Sequence, residues 1–339
     1  MKKCIISLLV FLIAMPLFGI EKVGTTSFQF LKIPVGVRGI GMGTAQIAGS
    51  SDATAVFWNP AGLGWATERE VVFSHINMPA DINYDNVAIA YPVSDAIGTF
   101  GIRLSVLYMD DMMIRTAENP EGTGKMFTAS DMAVGISYSR SITDVFAFGL
   151  SFNYIREDLA EYISQSFAFN AGIIYQTAFR SMKLGMTIQN FGPDTAYDGD
   201  FLDLRTSAGS SGAPQSREFE KAPLPMTFKV GIMMDAETMF GIDLGETLES
   251  SLAADFEHPS DMGERVNSGV ELVYNKMFAL RGGYLFNYDS QSFTFGFGIK
   301  LPVSSYKLAI DYAYADMGNL NDSSSFMNQP HRFSLSFKF

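Results

Sequence analysis

Phe146-Ala147-Phe148-Gly149-Leu150-Ser151-Phe152-Asn153-Tyr154 alternates a bulky apolar residue with a small or polar one at every step. A period of two is the signature of a β-strand whose two faces meet different surroundings. The small face matters as much as the large one. It carries Ala, Gly, Ser and Asn, where a strand on the surface of a soluble sandwich would show Lys and Glu.

The same pattern extends outward in both directions. Met132, Val134, Ile136 and Tyr138 alternate with Ala133, Gly135 and Ser137, and Phe167, Phe169, Ala171, Ile173 and Tyr175 alternate with Ala168, Asn170, Gly172 and Ile174. Further on, Phe293, Phe295, Phe297, Ile299 and Leu301 face away from Thr294, Gly296, Gly298 and Lys300. Reading the whole chain this way predicts about fourteen strands, at 69–77, 84–93, 97–109, 127–141, 144–158, 161–177, 180–191, 225–235, 248–258, 264–275, 277–288, 290–301, 305–315 and 330–339. Most exceed the roughly 5–6 residues of strands in soluble proteins and suit the about 9–11 that a tilted strand needs to cross a bilayer. Backbone groups in lipid must all be paired, so the sheet must close. The fold expected is all-β: a transmembrane antiparallel barrel spanning 69–339.

Connection lengths sort by side. With the first strand rising from the periplasm, the long connections 110–126, 192–224 and 316–329 fall outside, and the tight ones at 94–96, 142–143, 178–179, Asn275-Lys276 and 302–304 fall inside, as in outer-membrane barrels. The stretch 236–247 breaks this rule and marks a place where the strand reading can be in error. Tyr108, Tyr154, Tyr288 and Tyr314 close upward strands and Tyr91, Tyr138, Tyr175 and Tyr274 downward ones, predicting two aromatic girdles.

Residues 1–19 read as a signal peptide: Lys2 and Lys3, then the apolar run Ile5 to Phe18, too short to span as a helix. The only cysteine, Cys4, lies within it. The net charge of −12 argues against nucleic acid as a partner, since phosphates need a basic face. Phe339 ends the chain with Phe337 on the same face, resembling the signal read by the barrel-insertion machinery.

Residues 20–68 lack the alternation. Asp52 is placed to cap a short helix over 53–57, and Trp58-Asn59-Pro60-Ala61-Gly62 must turn. About fifty residues ahead of the barrel can fold back into the lumen as a plug. The runs Phe30-Leu31-Lys32-Ile33, Gly36-Val37-Arg38-Gly39-Ile40-Gly41-Met42-Gly43 and Asp52 to Leu63 resemble the PorV/PorQ family of FadL-like outer-membrane barrels. That resemblance implies fourteen strands and an N-terminal hatch, with Asp52, Trp58, Asn59, Pro60, Ala61 and Gly62 as hatch residues. It further implies one of two roles. The first is type IX protein secretion, with secretion components or exported cargo as partners. The second is transport of long-chain fatty acids or other hydrophobic compounds.

Charges on the small face sit where lipid cannot reach: Arg103, Lys183, Lys229, Asp255, Glu271, Arg281 and Asp311. They are expected to pair with the plug or to line a wet lumen. No catalytic constellation, metal site or cofactor is expected, and the chain is read as a non-enzyme. The spacing Gly39-x-Gly41-x-Gly43 lacks the strand–helix setting of a dinucleotide loop. Asp81-x-Asn83-x-Asp85 has neither the glycine nor the glutamate of a calcium loop, and His75, His258 and His331 share no ligand spacing. Asp110, Asp111, Asp194, Asp198, Asp200 and Asp203 are read as a solvated external rim.

Overall fold

The computed structural model describes residues 23–203, 215–304, 306–316 and 330–339; the leader expected at 1–19 lies outside them. The strands are β1 Glu70–Met78, β2 Ile82–Ser94, β3 Gly98–Met109, β4 Met112–Met113, β5 Met126–Phe127, β6 Ala129–Thr143, β7 Phe146–Leu159, β8 Tyr162–Gln176 and β9 Lys183–Phe191. They continue as β10 Asp200–Asp203, β11 Gln215–Glu218, β12 Thr227–Asp235, β13 Leu248–Pro259, β14 Arg265–Tyr274, β15 Phe278–Phe286, β16 Phe293–Val303, β17 Tyr306–Ala315 and β18 His331–Lys338. Pairs β4–β5 and β10–β11 are small hairpins in two outer connections, and the other fourteen strands form one closed antiparallel barrel. All fourteen predicted strands are present, each within a few residues of its expected ends.

Closure is made by the first and last barrel strands, which pair from Glu70↔Lys338 to Asn77↔His331. The seam is finished by Arg69 and Phe339, each donating its N–H to the other's carbonyl at 3.2 and 2.9 Å. Among the described residues the barrel sheet has no free edge, the closure that a strand backbone in lipid requires.

The alternation read in the sequence becomes inside and outside. Phe152, Phe167 and Phe169 are exposed on the outer surface, with ring centroids 5.3 and 5.0 Å from Phe152, while their neighbours Ser151, Asn153, Ala168 and Asn170 are buried. A continuous exposed belt of Phe, Ile and Leu is costly in water and stable in hydrocarbon. Phe337 and Phe339 lie on this outer face.

The termini of the barrel share one end with the turns 95–97, 144–145 and 275–277 and with the connection between β16 and β17. At 275–277, Asn275 and Lys276 both take positive φ (50° and 57°), the geometry of a tight hairpin turn. The stretch 236–247, where the strand reading was open to error, holds the short helix Ala236–Phe240 and no barrel strand. The long connection there is a property of the protein. Tyr288 also departs from expectation. β15 ends at Phe286, and Asn287 (φ 63°) turns the chain, so Tyr288 leaves the outer girdle and lines the interior.

The buried core is inside the barrel. Residues 23–65 occupy the lumen from one end to the other. Near the outer end, Ser27 N–H donates to Pro223 O at 2.9 Å, and Phe28 and Phe30 pack with Ile76, Tyr84 and Ile155. At the inner end the segment leads directly into β1.

Candidate functional site

The lumen segment is made of short pieces: a 3-10 turn Gln29–Lys32, helical turns Val37–Gly41 and Ala55–Trp58, and a 3-10 stretch Pro60–Trp65. Pieces this short leave most of their backbone groups unpaired among themselves. The barrel wall supplies the partners. The Asp255 carboxylate accepts the N–H groups of Gln46 and Ile47 at 2.7 and 2.9 Å. Glu70 accepts Ala53 N–H at 2.8 Å. The Gln189 amide donates to Phe57 O at 3.0 Å and Trp58 O at 2.5 Å. Ser139 and Ser141 donate to Ala61 O and Gly64 O at 3.0 and 2.7 Å, and Thr294 accepts Gly43 N–H at 2.9 Å. These side chains come from β1, β6, β9, β13 and β16, so the segment is gripped around the whole circumference.

The Trp-Asn-Pro-Ala-Gly turn sits at the centre of this packing. Asn59 is fully buried and extended (φ −149°, ψ 107°), the geometry of a helix N-cap, with Pro60 at the first helical position. Its Oδ1 accepts Ala61 N–H at 3.2 Å, while its Nδ2 donates to Ile47 O at 3.0 Å and Ile173 O at 3.1 Å. One side chain therefore ties the turn to an earlier loop and to strand β8. The wall must be thin where the turn meets it: a Cβ on Gly149 would strike the backbone of Pro60 and Ala61. Asp52 accepts Thr54 N–H at 2.9 Å but lies three residues before Ala55, where the helix it was expected to cap begins.

Three of the seven predicted lumen charges come together, and the lumen segment joins them. Arg38 holds Glu271 through two nitrogens, Nη2 at 2.6 Å and Nε at 3.0 Å. Arg281 reaches the same carboxylate at 2.7 Å and Asp311 at 2.5 Å. Asp52 extends the chain, 3.6 Å from Arg38. The Glu271 carboxylate above all keeps the Arg38 guanidinium well above its ordinary pKa, against the cost of burial. Burial pushes the Asp52 carboxyl up, but Arg38, then Lys338 and the Thr54 hydrogen bonds, outweigh it and leave the carboxyl below its usual range.

The other four charges are placed separately. Asp255 binds backbone rather than a cation. Lys229 pairs with Glu257 at 2.9 Å, which also accepts from Asn267 at 3.0 Å. Lys183 sits 5.9 Å from the centre of the Trp65 ring. Arg103 is buried with its guanidinium 5.0 Å over the Phe57 ring and 3.3 Å from Ser105 Oγ. Arg38, Gln189, Glu70 and Glu257 were not singled out from the sequence. Parity with Asp255 marks Glu257 as inward-facing; nothing local marks Arg38.

Above the turn, towards the outer end, lies a cavity of about 340 Å³ lined by Lys32, Phe57, Arg103, Gln189, Glu257 and Tyr288 among others. A second cluster closes its rim. Asp261, whose side chain is inaccessible to solvent, accepts from Thr26 at 2.6 Å and Lys32 at 2.8 Å. Burial alone would raise the Asp261 carboxyl; Lys32, Thr26 and Gln29 outweigh it and hold it below the ordinary carboxylate range. The three histidines have separate neighbours: His75 with Asp85 at 2.7 Å, His258 with Glu264 at 3.2 Å, and His331 with Tyr312 at 2.9 Å.

A closed fourteen-strand barrel with a lipid-facing aromatic belt and a filled lumen is an outer-membrane protein of the FadL-like kind. The solved structures it resembles agree. A FadL homologue from Pseudomonas aeruginosa matches with a TM-score of 0.53 at 14% identity, covering 91% of this chain and 98% of that one. The Pseudomonas putida toluene transporter TodX matches with a TM-score of 0.54 at 12% identity, covering 96% and 99%. The Ralstonia pickettii toluene transporter TbuX matches at 0.51 and 12%, covering 90% and 97%. At these identities the likeness establishes the fold. No curated protein sequence matches the chain. Residues 20–203, more than half of the chain, match the family described as type IX secretion system protein PorV, and the chain belongs to that family.

Proposed function

We propose that this protein serves type IX secretion at the outer membrane by holding a secretion component or exported cargo protein on its outer connections, with residues 20–68 acting as a fixed hatch. The observation that carries this reading is the family match over residues 20–203. The lumen supports it: a segment bonded to the wall from β1 to β16 occupies the barrel interior, which favours the outer rim as the working surface. No chemistry is assigned to the interior, and the protein acts as a binding partner rather than an enzyme. Affinity purification from outer membranes tests the reading. Recovery of secretion components or cargo with the native barrel, lost when the connection 192–226 is shortened, is the expected result. A barrel that recovers neither argues against it.

A second reading has its own observation. Arg103 lines the outer cavity with its Nε unbonded and an aromatic ring beneath it, an arrangement suited to an anionic head on an apolar ligand. Transport of a hydrophobic compound would give a bound lipid in purified protein and slower uptake in a deletion strain.

A further inference from the structure

We propose that the turns 177–182 and 236–247 together form an interfacial anchor that sinks into the inner leaflet of the outer membrane beneath strands β9 and β12. These turns are separate in sequence but built as one unit. Arg180 Nη1 donates to Thr238 O at 2.5 Å and Met239 O at 2.6 Å. Ser181 Oγ meets Thr238 Oγ1 at 2.6 Å and accepts Asp235 N–H at 2.9 Å. So braced, the unit presents four large apolar side chains: Phe179, Met239, Phe240 and Ile242 are 59%, 46%, 62% and 53% exposed. Loops in water do not hold Phe, Met and Ile together on a rigid support without a partner for them.

Two observations make that partner lipid. First, the ridge continues the established lipid-facing surface. Phe179 follows the outward Tyr175 of β8, and Met239 and Phe240 follow the outward Ile232 of β12. Second, the wall steps at this end. Strand β12 stops at Asp235, paired with Ser251, three residues short of the inner end of β13 at Leu248, while β9 ends level with β8, Lys183 facing Gln176. An apolar ridge below β12 fills that step. It also explains why the only helical connection at this end among the described residues lies there.

The test places a polarity-sensitive dye on Phe240→Cys in the full-length barrel, reconstituted in phosphatidylethanolamine vesicles with or without brominated acyl chains. The same dye on Asp95→Cys, in an exposed turn at the same end, and on Phe297→Cys, in the outer belt, sets the two limits. Heat-modifiable migration on gels confirms that each variant is folded. The proposal expects blue-shifted emission at 240, quenched at least about twofold by brominated chains, as for a side chain buried in the interface. Emission and quenching matching position 95 overturn it, and leave the ridge to a periplasmic protein. Ile242→Cys repeats the measurement should Phe240→Cys not fold.

Discussion

Arg38 and Glu271, 233 positions apart in the chain, are joined by two hydrogen bonds at 2.6 and 3.0 Å in the interior of the barrel. That pair is an electrostatic link between the lumen segment and the wall. Glu271 is shared with Arg281, which is also bound to Asp311. Removing the one carboxylate therefore leaves Arg281 with Asp311 alone and Arg38 with only Asp52, 3.6 Å away.

Glu271→Gln is expected to cost about 3–5 kcal/mol, because breaking a buried pair leaves charge uncompensated. Thermal unfolding in detergent checks this. Replacing Arg38 and Glu271 together by Met and Leu is expected to cost less than the sum of the single changes.

Asn59→Ala removes a cap and two further hydrogen bonds at one buried point. The expected loss is about 1–3 kcal/mol. Because Ile47 and Ala61 both depend on that side chain, faster hydrogen exchange should appear across residues 46–62. Exchange that rises no more there than in the strands would show that the turn holds itself.

Gly149→Val puts a side chain where the Pro60 backbone stands. Neither backbone can swing away as a flexible side chain would, so the segment must shift, at about 1–3 kcal/mol. Single-channel recording should show openings in the variant and none in the wild type.

Asp261 has a carboxyl held below its usual range, so its contribution to stability is present above the unfolded pKa, near 4, and is lost as pH falls through the lower folded value. Wild type should be more stable than Asp261→Asn at pH 7, and the gap should close progressively on acidification below about pH 4. A gap that stays constant would remove Asp261 as the cause.

The strands were legible because a barrel in lipid forces each residue to one of two environments, and the period of two records that choice at every position. Parity placed Arg281, Glu271 and Asp311 on the inner face. It did not say that they touch, because contact depends on register: Glu271 faces Arg281 across the β14–β15 hairpin, and Asp311 faces Gly298 on β16. Pro60 made the central turn visible, since its ring forbids most alternatives. Arg38 was hidden. It lies in an irregular segment whose partners are all distant, and no local pattern encodes them. Tyr288 was misplaced because Asn287, in the left-handed region just after the strand end, is enough to reverse the direction of the side chain that follows it.

The seam between β1 and β18 has a consequence for how this molecule is made. The ring is complete only when the last strand meets the first, yet the material that fills it precedes the first strand and bonds to the wall at half a dozen separated places. Biogenesis has to close the hoop and seat its contents, so a defect in the filling bears on assembly as well as on the finished pore.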